Sequence, residues 1–371
     1  MRIAFITPGF SAAADDWCIP LLQDLAVQLR REHDLHVYTT CYPHATARYS
    51  VKGVPVQSFG TGTPGRLPWV LRQLRATRAV LRDHDQEPYD VVHGFWADGG
   101  GVVAAQVKRR RQTRSVVTVM AGELSYEPAS GYGKSRRPLA GRLARYGASR
   151  ADELLGLSDA HVRQIVGHNP TLFPRRSICG VDETRFCAEG PALELDGEIP
   201  VLCVASLVDV KGLKQLVLAA ADASAKVRGL HLHVVGQGKN ADNLKMLARE
   251  TAAPVTFHGA VDHGYLGRYY RGARFCVLNS YFESHGMVVA EAAACDRLTI
   301  GADVGCMADY CPEEFLCPPG DTEALVDVLV SAARADRLPR PLSRPPTVHR
   351  MAQHLVKIYT AMLPLQGRSQ K

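Results

Sequence analysis

No stretch of this 371-residue chain is apolar for long enough to cross a membrane as a helix. No two of its ten cysteines stand in a Cys-x-x-Cys spacing, and the group Cys306, Cys311 and Cys317 lacks the rhythm of a zinc site. Thiols scattered through apolar surroundings read as reduced core residues of a cytoplasmic protein. Nothing after Met1-Arg-Ile-Ala-Phe-Ile-Thr-Pro-Gly9 supplies the apolar core and cleavage region of a secretory leader. Aromatic residues make up 7% of the chain and do not interleave with its basic runs, which argues against nucleic-acid binding. Asp83-His-Asp85 spells a metal-binding pattern, but it ends a helical segment with no strand before it. No metal is expected.

What is present is a soluble, globular composition, 46% apolar and 22% charged. The length implies two domains. Charge is uneven: residues 66–150 hold 16 Lys and Arg against 7 Asp and Glu, while the whole chain is only +7. The first half therefore suits an anionic partner, a lipid phosphate or an acidic glycan, or peripheral contact with the inner face of a membrane. The spacing predicts a helix over 66–85. Leu67, Val70, Leu71, Leu74 and Leu81 form its apolar face, and Arg72, Arg75, Arg78 and Arg82 lie opposite. That basic face is either solvated or a surface for anionic lipid.

The pattern along the chain is that of parallel sheets. Arg2–Thr7 is a strand broken by Pro8-Gly9-Phe10, residues 17–32 are amphipathic at helical spacing, and Leu35–Thr39 is the next strand. The turn at Gly9 faces the carboxyl edge of the sheet, where such folds bind ligands. Tyr89-Asp-Val-Val-His93 is a strand ending in a Gly-rich loop, with His93 at its carboxyl end. Ser115-Val-Val-Thr-Val-Met-Ala-Gly-Glu123 is another strand and loop. The next loop, 125–135, contains Gly131-Tyr-Gly-Lys-Ser135, but Pro128 stands where a phosphate-binding loop needs Gly. A lid on the first domain's side of the cleft fits it better.

After a Pro-containing linker at 187–199 the pattern restarts. Pro200–Ser206 is a strand, and Lys211-Gly212 opens a helix with a compact cation aimed at phosphate. Gly236-x-Gly238-x-x-Ala241 follows a strand and fits the loose dinucleotide fingerprint, which keeps a nicotinamide-dependent oxidoreductase open as an alternative. The stretch 280–295 is the most telling. A buried strand turns through Glu283-Ser-His-Gly286 into the helix-forming run Met287-Val-Val-Ala-Glu291. The unpaired N–H groups of that helix start, at Gly286, Met287 and Val288, favour an anion. Glu283 in the loop and Glu291 in the helix bracket the turn. Sugar hydroxyls suit the Glu291 carboxylate, and Glu283 sits nearer the reacting end.

Glu283-x7-Glu291 resembles the motif of family 4 glycosyltransferases, retaining enzymes of the GT-B fold that use nucleotide sugars. The resemblance covers most of the chain and is most specific over 206–320. It implies an α/β fold of two Rossmann-like βαβ domains facing a cleft: 1–186 on the acceptor side and 200–345 holding the nucleotide sugar. A helix within 346–371 would return to the first domain. It also implies sugar transfer with retention, no metal and no cofactor beyond the donor, most simply UDP- or GDP-linked. Lys211 and Gly212 match the family's phosphate loop, Ser206 stands where Arg is usual, Gly236 belongs to the usual Gly-x-Gly loop, and Val261 falls near the base. His93 matches the family's Asp-Val-x-His strand end. Gly9 alone remains of the usual Gly-Gly pair, and Met120 occupies the place of a His. Glu123 is then the candidate to replace that His, as in a subgroup with a similar Ala-Gly-Gly-Glu-Leu loop. These departures leave a third reading, a nucleotide-sugar-binding protein without transferase activity.

Overall fold

The computed structural model describes residues 1–61 and 66–364. Two sheets dominate it. The first has eight strands in the spatial order Arg175–Arg176, Glu153–Gly156, Arg114–Thr118, Val91–Phe95, Arg2–Gly9, Asp34–Tyr42, Val54–Phe59, Thr46–Val51. All neighbours are parallel except the last pair. The second has six parallel strands in the order Val255–Gly259, Leu230–Val235, Ile199–Val204, Phe275–Leu278, Thr299–Ala302, Leu316–Cys317. Parallel strands need crossovers that cover both sheet faces, so strands such as Val91-Val-His-Gly-Phe95 are buried throughout.

The chain passes between the sheets twice, at neighbouring points. Val181 pairs with Thr347 in a parallel bridge, and its N–H donates to the Pro346 carbonyl at 2.9 Å. The helix Val348–Met362 then lies on the first domain, where Met351, Leu355, Ile358 and Tyr359 share a core with Leu22, Leu25 and Leu29. Val181 and Phe186 pack instead into the core of the second sheet. By packing, the boundary thus falls near residue 180, a few residues before the expected 186.

Two local expectations change. The first strand does not stop at Pro8; it runs to Gly9, with a register shift after Thr7. Proline removes one ladder donor, and the irregularity absorbs the loss. The helix Arg66–Gln86 buries a different face from the one expected, although Leu81 still packs against the core and Arg75, Arg78 and Arg82 stay exposed. Ala76, Ala79 and Val80 are buried with Ile6 and Val92, and Arg72 is 8% exposed with its guanidinium on the Thr61 hydroxyl at 3.2 Å. Val70, Leu71 and Leu74 are 42%, 45% and 45% exposed, and the Leu67 side chain lies outside the described residues. Small residues let the helix axis approach the sheet closely, so here the contact face is marked by alanine rather than by leucine. Among the described residues no helix is long and apolar enough to cross a membrane.

Seven of the ten cysteines are buried, Cys41 and Cys187 are half-buried, and Cys18 is exposed; all ten are free thiols. Burial raises the thiol pKa of Cys317 to about 11 and those of Cys203, Cys295 and Cys311 to about 12, which leaves them protonated and inert.

Candidate active site

A cavity of about 580 Å³ opens between the carboxyl ends of the two sheets. The second domain supplies most of its polar groups. Lys211 reaches it from the turn Asp209–Lys211, and its ammonium lies 2.5 Å from Glu283 Oε1. The Ser280 hydroxyl donates to the same oxygen at 2.7 Å. Glu283 is 9% exposed, so cation, carboxylate and hydroxyl form a compact group with one face to the cavity. The left-handed Gly286, φ 93°, then starts the helix Met287–Ala294, whose first residues Met287 and Val288 line the cavity. A side chain at Gly286 would be strained by that φ.

Glu291 lies one turn further on and is 5% exposed. Its Oε2 accepts from the Tyr270 hydroxyl at 2.8 Å, and its Oε1 from His263 Nε2 at 3.2 Å. Burial beside this carboxylate pushes the Tyr270 pKa well up, so the phenol remains a donor. An ionised carboxylate has about four acceptor positions, two of them used here, which leaves capacity for further hydroxyl donors. Gly236 holds φ 138°, and a Cβ there would stand 1.9 Å from the Ala205 carbonyl oxygen. Only glycine lets this loop close over Ser206. Ser206, Gly236 and Val261 all line the same cavity.

The first domain closes the cavity with Ile19, Pro20, Trp96, Met120 and Leu157. Its loops are latched onto the second domain at the Glu-x7-Glu turn. Ser284 donates to the Met120 carbonyl at 2.7 Å, and Ser158 donates to the Ser284 carbonyl at 2.8 Å. Arg176 pairs with Asp309 across the rim. Trp96 adopts a left-handed φ of 63°, an expensive conformation for a bulky residue, and borders both this cavity and a neighbouring one of about 450 Å³.

Of the twelve residues expected in the site, nine meet here: Ser206, Lys211, Gly236, Val261, Glu283, Gly286, Met287, Val288 and Glu291. Three do not. His93 is fully buried beneath the strand ends, with Nδ1 at 2.6 Å from the Tyr359 hydroxyl and Nε2 at 2.7 Å from Thr118 Oγ1. Burial lowers its pKa to about 3, so it is a neutral tether between the sheet and the last helix, out of reach of a substrate. Glu123 is 1% exposed and accepts from the backbone N–H groups of Ala97, Met120 and Ala121 at 3.2, 2.9 and 2.8 Å. It folds the Met120 loop from within and borders the second cavity. Burial, then the Asp98 charge, raises its pKa to about 7. Gly9 ends its strand under Cys18, whose sulfur would lie 3.0 Å from an added Cβ; its smallness serves the fold of the loop rather than a ligand.

The sequence reading missed Trp17, Asp24, Arg185 and His263, which gather at the Glu291 end of the cavity. Arg185 pairs with Asp24 and with Asp182, the latter at 3.0 Å, and its guanidinium lies 4.6 Å from the Trp17 ring centre. No motif or spacing connects these four positions along the chain. No group of three metal-ligating side chains occurs among the described residues.

With this geometry in place, comparison with known proteins is decisive. Residues 198–334 match the family of glycosyl transferases group 1, and residues 20–178 match the glycosyl transferase 4-like domain. The chain belongs to glycosyltransferase family 4. The two matches divide this family 4 chain as the two sheets do, and the nicotinamide-dependent alternative is not favoured. Its relatives include the D-inositol 3-phosphate glycosyltransferase of Mycobacterium tuberculosis, 28% identical over 247 residues, 60% of this chain and 48% of that protein. The chain thus matches about half the length of these curated relatives. Among solved structures, it resembles sucrose-phosphate synthase of Thermosynechococcus elongatus with a TM-score of 0.75 at 18% identity, covering 98% of this chain and 99% of that one. It also resembles Anabaena HepE in complex with UDP, with a TM-score of 0.69 at 16% identity, covering 98% and 100%. These likenesses establish the two-domain GT-B architecture.

Proposed function

We propose that the chain transfers a sugar, with retention at the anomeric carbon, from a nucleoside diphosphate sugar to a hydroxyl acceptor. The observation that carries this is the convergence of Lys211, Glu283, the helix start at Gly286–Val288 and Glu291 on one cavity. A leaving diphosphate needs positive field, which Lys211 and the free N–H groups of the helix start supply. Glu283, held by Lys211 and Ser280, is placed to hold the donor sugar, and Glu291 to take the ribose hydroxyls. Ser206 leaves one cation fewer at the phosphates than is usual in the family, so Lys211 carries more of the load. Anabaena HepE is described in complex with UDP and glucose, which supports a UDP-linked donor. The M. tuberculosis relative is named for a phosphorylated acceptor, and the basic first half suits an anionic one here.

The test is calorimetry with UDP, GDP and ADP, followed by donor turnover with the corresponding sugars. One of the three should bind, and Glu291→Ala should weaken it about 10- to 100-fold, the worth of a charged hydrogen bond. Unchanged binding in that variant would remove Glu291 from the donor site. Binding without turnover, once acceptors have been supplied, would favour a protein that only binds nucleotide sugars.

A second, finer reading concerns location: a cytoplasmic protein in peripheral contact with an anionic membrane. The exposed Val70, Leu71 and Leu74 sit on one helix stripe with the exposed Arg75, Arg78 and Arg82, an arrangement that suits anionic lipid. Vesicles containing phosphatidylglycerol should retain the protein at low salt, and Leu71→Glu with Leu74→Glu should release it. Equal retention by neutral vesicles would sink the electrostatic part of this reading.

A further inference from the structure

Past Trp96 lies the second cavity, of about 450 Å³, and both domains build it. The first domain contributes Trp96, the loop 121–123, the side of the hairpin around Tyr132–Gly133, and Arg137. The second contributes residues 208–210 and Lys239. These stand on the same two loops that bring Ser206, Lys211 and Gly236 to the donor cavity. In the first domain, Met120 lines one cavity and Ala121 the other. The two spaces therefore lie back to back across shared loops. They meet at the Glu283 end, where the Tyr132 ring lies 5.3 Å from that of Phe282, the neighbour of Glu283. No residue of the second cavity adjoins Glu291, Val261 or His263 in the chain. With a nucleoside at Glu291 and a diphosphate at Lys211, the sugar at Glu283 borders this second space.

Three cations line it, Lys134, Arg137 and Lys239. Two are matched: Lys134 Nζ lies 2.5 Å from Asp98 Oδ2, and Lys239 pairs with Asp209. Arg137 is exposed, and among the described residues its guanidinium has no hydrogen-bond or ion-pair partner. It also precedes the helix Pro138–Ser149, which has no acidic residue in its first turn, so the positive end of a helix dipole stands at the same edge. The carboxylates of the lining are already engaged, Asp209 by Lys239 and Asn240, and Glu123 by three backbone N–H groups. Trp96 and Tyr132 add aromatic surface, against which the C–H face of a sugar ring packs. The left-handed φ of 63° at Trp96 is a cost that the surrounding fold must hold in place, as is common beside ligands.

We propose that the second cavity is the acceptor subsite and that it selects a polyhydroxyl ring carrying one acidic group, a phosphate monoester or a carboxylate, which Arg137 reads. The proposal rests on the nucleotide-sugar reading above and adds to it the class of acceptor and the residues that choose it. Lys239 makes the second domain a part of that choice, so the subsite is complete only when both domains face each other.

The test is calorimetry on the full chain saturated with whichever of UDP, GDP and ADP binds best, which keeps the probes out of the diphosphate position. Glucose 6-phosphate, glucuronate and glucose are then titrated in. At least one acid should bind about tenfold or more tighter than glucose; the phosphate ahead marks a phosphorylated polyol, and the carboxylate ahead an acidic glycan. Arg137→Gln should cost about tenfold on the preferred acid and less than about threefold on glucose and on the nucleotide. Trp96→Gly relieves the backbone but removes the ring, and should weaken all three probes by a similar factor. The proposal is overturned if glucose binds as well as both acids, or if Arg137→Gln keeps the preference for the acid. Nucleotide binding is read first and separately: its absence sinks the donor reading, whereas intact nucleotide binding without acid preference sinks this inference alone.

Discussion

The two walls of the cleft are made in different ways. The second domain brings ionised and hydroxylated side chains to the surface of the cavity and ties them to one another, Lys211 to Glu283 to Ser280 and Tyr270 to Glu291 to His263. The first domain shows the cavity mainly apolar side chains, Ile19, Trp96, Met120 and Leu157, with its polar exceptions, such as Asp24, gathered at the Glu291 end. Its titratable residues His93, Glu123 and His161 lie beneath that wall, all 1% exposed or less. One half carries charge to the cavity, and the other lines it mainly with apolar surface. On the proposed reading, a site built this way keeps its field on the diphosphate with methionine at position 120, where the family resemblance implies histidine.

The largest test of this contrast is Lys211→Ala. Removing the cation that faces both Glu283 and the phosphate position should lower donor turnover by roughly 10²- to 10³-fold, as loss of one preorganised charge does elsewhere. Met120→Ala on the opposite wall should change turnover by less than about tenfold, since a thioether neither donates nor accepts a proton. Comparable losses from the two, measured as kcat/KM on the same donor, would break the contrast.

His93 gives the next test. His93→Ala leaves the Tyr359 and Thr118 hydroxyls without their buried partner and opens a void under the last helix. Stability should fall by about 2–4 kcal/mol in urea unfolding. The folded fraction should keep kcat/KM within about threefold. A collapse in rate at full folding would restore a catalytic part for this residue.

How much of this was legible in the sequence follows the same division. Glu283, Gly286, Glu291, Lys211 and Gly236 were readable because each depends on local chain geometry: a helix start, a left-handed turn, a strand end. The alternation of strands and helices was readable for the same reason. His93 was misread because a strand end alone does not say whether a side chain points up into the cleft or is covered by a helix 266 residues later. Val70, Leu71 and Leu74 were misread because periodicity finds two faces and the size of the residues, not their hydropathy, chose between them. Trp17 and His263, or Arg176 and Asp309, meet only after both domains are built, and no spacing connects them.

The buried groups also set the pH dependence of stability. Burial lowers the pKa of His93 to about 3 and those of His161 and His285 to about 4, below the ordinary 6.5. Between those values the unfolded chain binds more protons, so stability falls as pH drops from about 6.5 towards 4. Glu123 acts in the opposite sense. Its pKa rises from 4.5 to about 7, so its share of stability is present below about 4.5 and is lost as pH rises through 7. Three groups outweigh one, and the net trend between pH 5 and 6.5 should be a rise. Glu123→Gln removes the opposing group, so urea unfolding of that variant should show a steeper rise over the same interval. A slope equal to that of the wild type would mean that Glu123 is already ionised at pH 5.

The smallest expected effect is at the rim, where the latch between domains uses charge. Arg176 reaches both Asp159 of the first domain and Asp309 of the second, with side chains 38%, 56% and 31% exposed. Exposed pairs of this kind contribute between about 0.2 and 1 kcal/mol and are screened by salt. The latch that excludes water is the pair of hydroxyl-to-carbonyl bonds at Ser284 and Ser158, where the partners are better covered. Arg176→Ala should therefore shift the melting temperature by no more than about 2 °C, and the difference from wild type should vanish in 0.5 M NaCl. Ser284→Ala should shift it more, with a difference that survives salt, because the Met120 carbonyl loses its donor at a protected join. The reverse ranking would mean that the two walls are held together by the charge at their edge rather than by the loops at their centre.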